Sequence, residues 1–312
     1  MMWIYIILGL LILVSSGDFL VRGAVSLSNI FNISPYIIAG TLVAFGTSAP
    51  ELFVSGTASY LGNPGAAIGN ILGSNIANIG LVLGIITIIY PISLKQRFYT
   101  SDFPLLLIST CIFYFIIFTG NQISRPEGFV LIFSITAILL YLFIYQKKSI
   151  SEFSDNFDRS KISISKSFLH IIFSGFLLWL GSETLIKSAI SVATQFEISQ
   201  RVISITMVAI GTSIPELAAS VVASLKKQND LSIGNLIGSN IFNLLVVIGI
   251  TSSISPMYGI ENSTIYNDML WVVLFSVIIL PLALVGRKSV LTRKKGIMLL
   301  ALYLIFIIPL LS

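Results

Sequence analysis

Thr41-Leu-Val-Ala-Phe-Gly-Thr-Ser-Ala-Pro-Glu-Leu52 returns 165 residues later as Thr206-Met-Val-Ala-Ile-Gly-Thr-Ser-Ile-Pro-Glu-Leu217, with nine of twelve positions identical. A second stretch repeats at the same offset. Ile68-Gly-Asn-Ile-Leu-Gly-Ser-Asn-Ile-Ala-Asn78 matches Ile233-Gly-Asn-Leu-Ile-Gly-Ser-Asn-Ile-Phe-Asn243 at eight of eleven positions. The shift also carries Asp18 onto Glu183, Arg22 onto Lys187, Gly84 onto Gly249 and Pro91 onto Pro256. Agreement at one constant offset across this length marks a duplicated unit.

Composition sets what the unit is. The chain has 312 residues, 55% of them hydrophobic and only 10% charged, and its mean hydropathy is +0.97. A soluble globular chain carries about 25% charged residues, enough to cover a water-facing surface. This one cannot do so, which excludes an ordinary cytosolic enzyme, a disordered protein and a nucleic-acid binder. It reads as an integral membrane protein. A single cysteine, Cys111, and a single histidine, His170, preclude an intramolecular disulfide, a thiolate site or a histidine cluster. Cys111 lies in an apolar run and is expected to be buried and inert. The N-terminus lacks a basic leader and a small-residue cleavage signal, so its apolar stretch is expected to be a retained span.

About 20 apolar residues cross a bilayer as a helix. On that scale ten spans are expected, near residues 3–28, 36–60, 66–90, 102–119, 127–145, 167–189, 200–225, 231–254, 266–286 and 296–311. The expected fold is therefore an all-α membrane protein of ten helices, arranged as two inverted five-helix repeats. Residues 1–145 form the first, 146–166 a Ser-, Lys- and Asp-rich linker, and 167–312 the second. Inversion follows from arithmetic: a five-span unit enters the membrane from one side and its copy from the other. The connections after spans 1, 3, 5, 7 and 9 hold 15 of the 18 basic residues, the other side holding only Arg125, Lys187 and Arg201. The positive-inside bias then puts the linker in the cytoplasm and both termini outside the cell membrane.

Four of the 13 acidic residues fall more than a helical turn inside these spans: Asp18, Glu51, Glu183 and Glu216. A charged group in hydrocarbon costs at least about 2.5–3.5 kcal/mol unless a partner or a watery cavity receives it. Asp18 and Glu183 precede Arg22 and Lys187 by four residues, the spacing of an intrahelical ion pair. Glu51 and Glu216 have no base within a turn. Each instead follows a Gly-Thr-Ser-x-Pro break, in which the proline has no N–H to give and its ring crowds a carbonyl. Irregular backbone at that depth must line a cavity or lie buried in protein. Thr47, Ser48, Thr212 and Ser213 add hydroxyls, and Asn70, Ser74, Asn78 with Asn235, Ser239, Asn243 add a polar stripe at i, i+4, i+8. Gly69, Gly73 and Ala77 beside that stripe form a small-residue track for close helix contact. Carboxylates, hydroxyls, amides and carbonyls are oxygen ligands, the set preferred by hard cations. Two carboxylates balance one divalent ion, and a flexible oxygen cage suits Ca²⁺ better than the tight octahedron of Mg²⁺. Na⁺ could use the same oxygens, and either Na⁺ or H⁺ could serve as counter-ion.

The paired Gly-Thr-Ser-x-Pro-Glu and Gly-Ser-Asn-x-x-Asn segments, five spans by five, resemble the α-repeats of the Ca²⁺/cation antiporter superfamily. They resemble most the prokaryotic sodium/calcium exchangers. The resemblance implies that Glu51 and Glu216 coordinate Ca²⁺. It implies that Thr47, Ser48, Thr212, Ser213, Ser74, Ser239 and the carbonyls of Ala44 and Ala209 help bind Na⁺ or Ca²⁺, with Asn78 and Asn243 central. Asn243 replaces an Asp that some relatives carry and K⁺-dependent members tie to K⁺, which argues against K⁺ dependence. Gly-Thr-Ser-x-Pro-Glu, rather than the Gly-Asn-x-x-Glu of proton-coupled relatives, favours Na⁺ over H⁺. Spans 1 and 6 would slide across the rest to switch access. A Na⁺/Ca²⁺ antiporter is thus expected, with H⁺/Ca²⁺ exchange the alternative and a cation channel or an intramembrane protease further behind. No cofactor, nucleic acid or obligate protein partner is expected, only the two ions and the bilayer.

Overall fold

A computed structural model of the chain describes residues 2–145, 163–196, 211–262, 264–286 and 289–311. Its helices are α1 (Met2–Phe31), α2 (Pro35–Thr47), α3 (Ala49–Tyr60), α4 (Pro64–Ile89), α5 (Phe98–Gly120), α6 (Arg125–Tyr145), α7 (Ile164–Gln195), α8 (Ile214–Leu225), α9 (Asn229–Ile254), α10 (Ile265–Leu284) and α11 (Arg293–Leu311). A helix falls within every stretch expected to span, residues 146–162 of the linker and residues 197–210 lying outside the described residues, and α7 begins at Ile164, inside the expected linker. Among the described residues, seven helices are long and apolar enough to cross a membrane, or eight if the bent pair α2–α3 counts as one span.

Local chemistry sets the helix starts. Pro35 and Pro64 stand at first-turn positions, where the missing N–H costs nothing. Ser34 and Asn63 cap those turns, their side chains accepting the N–H of Tyr36 and of Ala66 at 3.3 and 3.2 Å. Between α2 and α3 the chain bends by 44° at Ser48, just before Pro50. The bend is narrow. Ser48 N–H still reaches the Ala44 carbonyl at 2.9 Å, and Leu52 N–H reaches the Ser48 carbonyl at 3.2 Å.

Two apolar cores result. The larger is built mainly from α4, α5, α6, α9, α10 and α11. The smaller joins α1 and α7 to α2 and α8. α1 and α7 lie against each other along their length and touch through glycine: a Cβ at Gly9 would sit 3.1 Å from the Gly181 carbonyl. The expected ion pairs form on these two helices, Asp18–Arg22 at 2.7 Å and Glu183–Lys187 at 2.8 Å. Lys226 adds a third member to the first pair by reaching Asp18 from beyond the end of α8. A close contact through small residues forms in the second copy, where Gly234 and Gly238 meet Tyr36 and Gly40 of α2, whereas Gly69 and Gly73 of the expected track meet nothing within 4 Å among the described residues. Counterparts of that contact for Gly69 and Gly73 would fall on residues 201 and 205, outside the described residues.

The fold is all-helical apart from one short pairing at the helix ends, where β1 (Ile92–Ser93) runs antiparallel to β2 (Val290–Leu291). An isolated bridge joins Ile123 to Met257, and Met257 is Ile92 plus 165. All four bridging isoleucine, methionine and leucine residues are buried, so their backbone groups must find partners within the protein. Cys111 is exposed on α5, not buried. In a bilayer, lipid tails are as apolar as a protein core, so an apolar run does not reveal which side faces inward. His170 packs its ring 5.7 Å from that of Phe19 on α1.

A Cβ at Gly238 would lie 2.5 Å from the Gly40 Cα and 2.7 Å from its carbonyl oxygen. Overpacking of this kind costs about 1–3 kcal/mol. Gly238→Ala should therefore lower the melting temperature of the detergent-solubilised protein, whereas Gly65→Ala, with nothing within 4 Å of the new methyl, should not.

Candidate cation site

The site begins with two helix starts. Glu51 and Glu216 occupy the first turns of α3 and α8, directly after the breaks at Ser48 and Ser213. There the unpaired N–H groups and the helix dipole favour negative charge. Both side chains are fully buried, at 0% exposure, and they lie close enough for their charges to repel.

α4 and α9 are the most deeply buried spans, and they carry the polar stripes past these carboxylates. Hydroxyls cross between the copies. Thr47 meets Ser239 at 3.2 Å and Ser74 meets Thr212 at 2.8 Å, contacts related by the 165-residue shift. Thr47 also approaches Asn235 Oδ1 at 3.2 Å, as Thr212 does Asn70 Oδ1 at 3.4 Å. Asn70 and Asn235 in turn donate to Ser55 and Ser220, each at 3.0 Å. Those two asparagines brace α3 and α8 rather than completing the stripe.

The carboxylates differ in one respect. Ser48 donates to Glu216 Oε1 at 3.1 Å, and Thr47 and Ser239 lie beside it. The corresponding hydroxyl of Ser213 makes no hydrogen bond, and both Glu51 oxygens are buried without a partner although Ser74 is nearby. Glu216 Oε2, Asn78 Oδ1 and Asn243 Oδ1 are likewise buried and unpartnered. Five acceptor oxygens thus stand without a proton donor. Leaving such groups unmade costs about 1–3 kcal/mol each, more for a charged one. A cation satisfies acceptors of this kind where donors are lacking.

Of the residues expected in the site, Ala44, Thr47, Ser48, Glu51, Ser74, Asn78, Ser213, Glu216, Ser239 and Asn243 are all buried. Thr212 is half-buried, and Ala209 lies outside the described residues. The carbonyl of Ala44 accepts the Ser48 N–H at 2.9 Å and the Thr47 hydroxyl at 3.3 Å, so an ion there would take the place of the hydroxyl. Among the described residues no group of three or more His, Cys, Asp or Glu side chains converges. Any ion held here must draw on neutral oxygens beside the two carboxylates.

Sequence reasoning missed Asn75 and Asn240. They sit one position off the i, i+4, i+8 stripe, yet they form the only described amide ladder between α4 and α9. Asn75 Nδ2 donates to the Asn240 carbonyl and Asn240 Nδ2 to the Asn75 carbonyl, both at 3.1 Å. Asn78 Nδ2 donates to Asn240 Oδ1 and Asn243 Nδ2 to Asn75 Oδ1, both at 3.0 Å. Immediately beyond these carbonyls each helix widens into a π-helical stretch, at Asn78–Leu83 and Asn243–Val247. Such widening accompanies functional sites in other helices. The signal was present, since both asparagines belong to the duplicated Gly-Ser-Asn.

Comparison with known proteins agrees with this geometry. The family model described as "Sodium/calcium exchanger protein" matches residues 1–145 and 166–311. A membrane protein of Methanocaldococcus jannaschii is 33% identical over 308 residues, covering 97% of this chain and 96% of its own. The sodium/calcium exchanger MaX1 of Methanosarcina acetivorans is 27% identical over 346 residues, covering 99% and 98%. A solved structure of the sodium-calcium exchanger NCX_Mj, soaked with zero Na⁺ and Ca²⁺, superposes with a TM-score of 0.80 at 31% identity, covering 97% of both chains. The chain is an integral membrane protein of the sodium/calcium exchanger family.

Proposed function

We propose that the protein is a secondary antiporter that exchanges Na⁺ for Ca²⁺ by alternating access, electrogenically. The observation that carries this reading is the set of buried, donor-free oxygens on Glu51, Glu216, Asn78 and Asn243. Glu51 and Glu216 supply the two charges that a single Ca²⁺ neutralises. Thr47, Ser48, Ser74, Thr212, Ser213, Ser239 and the carbonyls of Ala44 and Ala209 supply neutral oxygens that Ca²⁺ and Na⁺ use in turn. Six to eight oxygens in flexible array suit Ca²⁺. Because both ions draw on the two carboxylates, occupancy by one excludes the other, and exclusive occupancy couples their fluxes.

The same reading holds that the chain comprises ten spans in two inverted halves, residues 1–145 and 167–312, joined by the linker 146–166. Alternating access needs two nearly equivalent gates around one site, which inverted halves supply. The separate apolar core that joins α1 and α7 to α2 and α8 supports sliding of α1 and α7 as a pair. We place the linker in the cytoplasm and both termini outside, from the distribution of basic residues.

Two experiments test this. Proteoliposomes loaded with Na⁺ should take up ⁴⁵Ca²⁺ when external Na⁺ is removed, and Glu51→Gln or Glu216→Gln should each abolish uptake. Uptake that follows a pH gradient and ignores Na⁺ would establish proton coupling instead, and flux without counter-transport would establish a channel. For orientation, a protease site inserted between Ser151 and Phe157 should be cut in inside-out vesicles and protected in right-side-out ones. The reverse pattern would invert the assignment.

A further inference from the structure

An asparagine amide beside a cation is ambiguous by nature. Its oxygen can ligate the ion, whereas its NH₂, of nearly the same size and two bonds away, repels it. Something must fix which end points inward. In this protein the choice follows from atoms that can play only one role.

The backbone carbonyl of Asn240 is an acceptor and nothing else. The group of Asn75 that meets it at 3.1 Å must therefore be Nδ2. That leaves Asn75 Oδ1 facing Asn243 at 3.0 Å, so Asn243 must present Nδ2 to it. The remaining atom of that amide, Oδ1, is buried and unpartnered. The 165-residue shift gives the mirror sequence of constraints. The Asn75 carbonyl fixes Asn240 Nδ2 at 3.1 Å, Asn240 Oδ1 then fixes Asn78 Nδ2 at 3.0 Å, and Asn78 Oδ1 is left buried without a partner. All four asparagines are at most 2% exposed, so water does not compete for these positions.

We propose that Asn75 and Asn240 are positioning residues that set the polarity of the Asn243 and Asn78 amides, turning their oxygens toward the transported cation. The inference rests on the reading of Asn78 and Asn243 as ion ligands. It adds a consequence: each ligand is oriented by the opposite repeat, so the central pair of ligands is assembled only when the two halves meet. Outer-shell partners of this sort typically govern metal affinity by ~10–100-fold.

The test exploits the symmetry of a carboxylate, which presents an oxygen whichever way it turns. Calcium binding is titrated on the purified full-length chain in detergent, for Asn75→Leu in the native background and again in an Asn243→Asp background. Asn75→Leu should weaken Ca²⁺ roughly tenfold where residue 243 is an amide, and should cause no further loss where it is an aspartate. The twin cycle, Asn240→Leu with and without Asn78→Asp, should behave alike and serves if the first background binds too weakly to titrate. Equal losses in both backgrounds, or no loss in either, would overturn the proposal, because a purely structural contact is indifferent to the symmetry of its neighbour. Glu51→Gln separates the two readings. If it leaves Ca²⁺ binding intact the site assignment fails, whereas loss in Glu51→Gln with unaltered binding in Asn75→Leu and Asn240→Leu removes only the positioning role.

Discussion

Two carboxylates buried in the middle of an apolar bundle, with no basic side chain to meet them among the described residues, are the constraint around which the rest of this molecule is arranged. Glu51 and Glu216 are fully buried, and even lenient insertion scales put about 2.5–3.5 kcal/mol on such a group. Two features offset part of that cost. Each carboxylate sits in the first turn of a helix, against the positive end of the dipole. Hydroxyls lie beside both, those of Ser48 and Thr47 reaching Glu216 from the opposite repeat and that of Ser74 standing near Glu51 from its own. What remains is a surplus of acceptor oxygens, an arrangement that suits a cation. The Pro50 and Pro215 breaks follow from the same need, because they create helix N-termini at mid-chain depth where an unbroken span would have none.

The duplication accounts for how so many polar atoms can be buried safely. Contacts between copies come in pairs, so every solution found once is available twice: Thr47 with Ser239 and Ser74 with Thr212, Asn75 with Asn240 in both directions. The pairing is incomplete at the carboxylates themselves, where Ser48 bonds Glu216 and Ser213 has no hydroxyl partner among the described residues. It is also incomplete at the periphery. Lys226 reaches Asp18, but the matching position in the first copy is Leu61, which has no charge to offer Glu183. Two halves of one ancestry therefore hold slightly different environments at the two ends of the site.

Much of this was legible in the sequence, and the reasons for what was not are physical. The apolar runs placed the helices, since a bilayer demands length and apolarity and little else. The duplicated motifs placed Glu51 and Glu216 together with the hydroxyls of Thr47, Ser74, Thr212 and Ser239, because repetition at one offset singles out positions without any knowledge of contacts. Lateral position was not legible. Cys111 turned outward because lipid and core are equally apolar. The β1–β2 pairing depends on two loops 198 residues apart meeting at helix ends (Ile92 and Ser93 against Leu291 and Val290), which no local pattern encodes. Asn75 and Asn240 escaped because stripe counting looks along one helix, whereas their role is defined by the carbonyl of another.

The central claim is that Ca²⁺ and Na⁺ compete for one site built on two glutamates. Equilibrium binding of ⁴⁵Ca²⁺ to the purified protein, at increasing Na⁺, tests it most directly. The account predicts one Ca²⁺ per chain, displaced by Na⁺ with a cooperative dependence on its concentration, and no Ca²⁺ bound by the Glu51→Gln, Glu216→Gln double variant. Calcium that stays bound at saturating Na⁺, or that still binds when both glutamates are neutral, would contradict it.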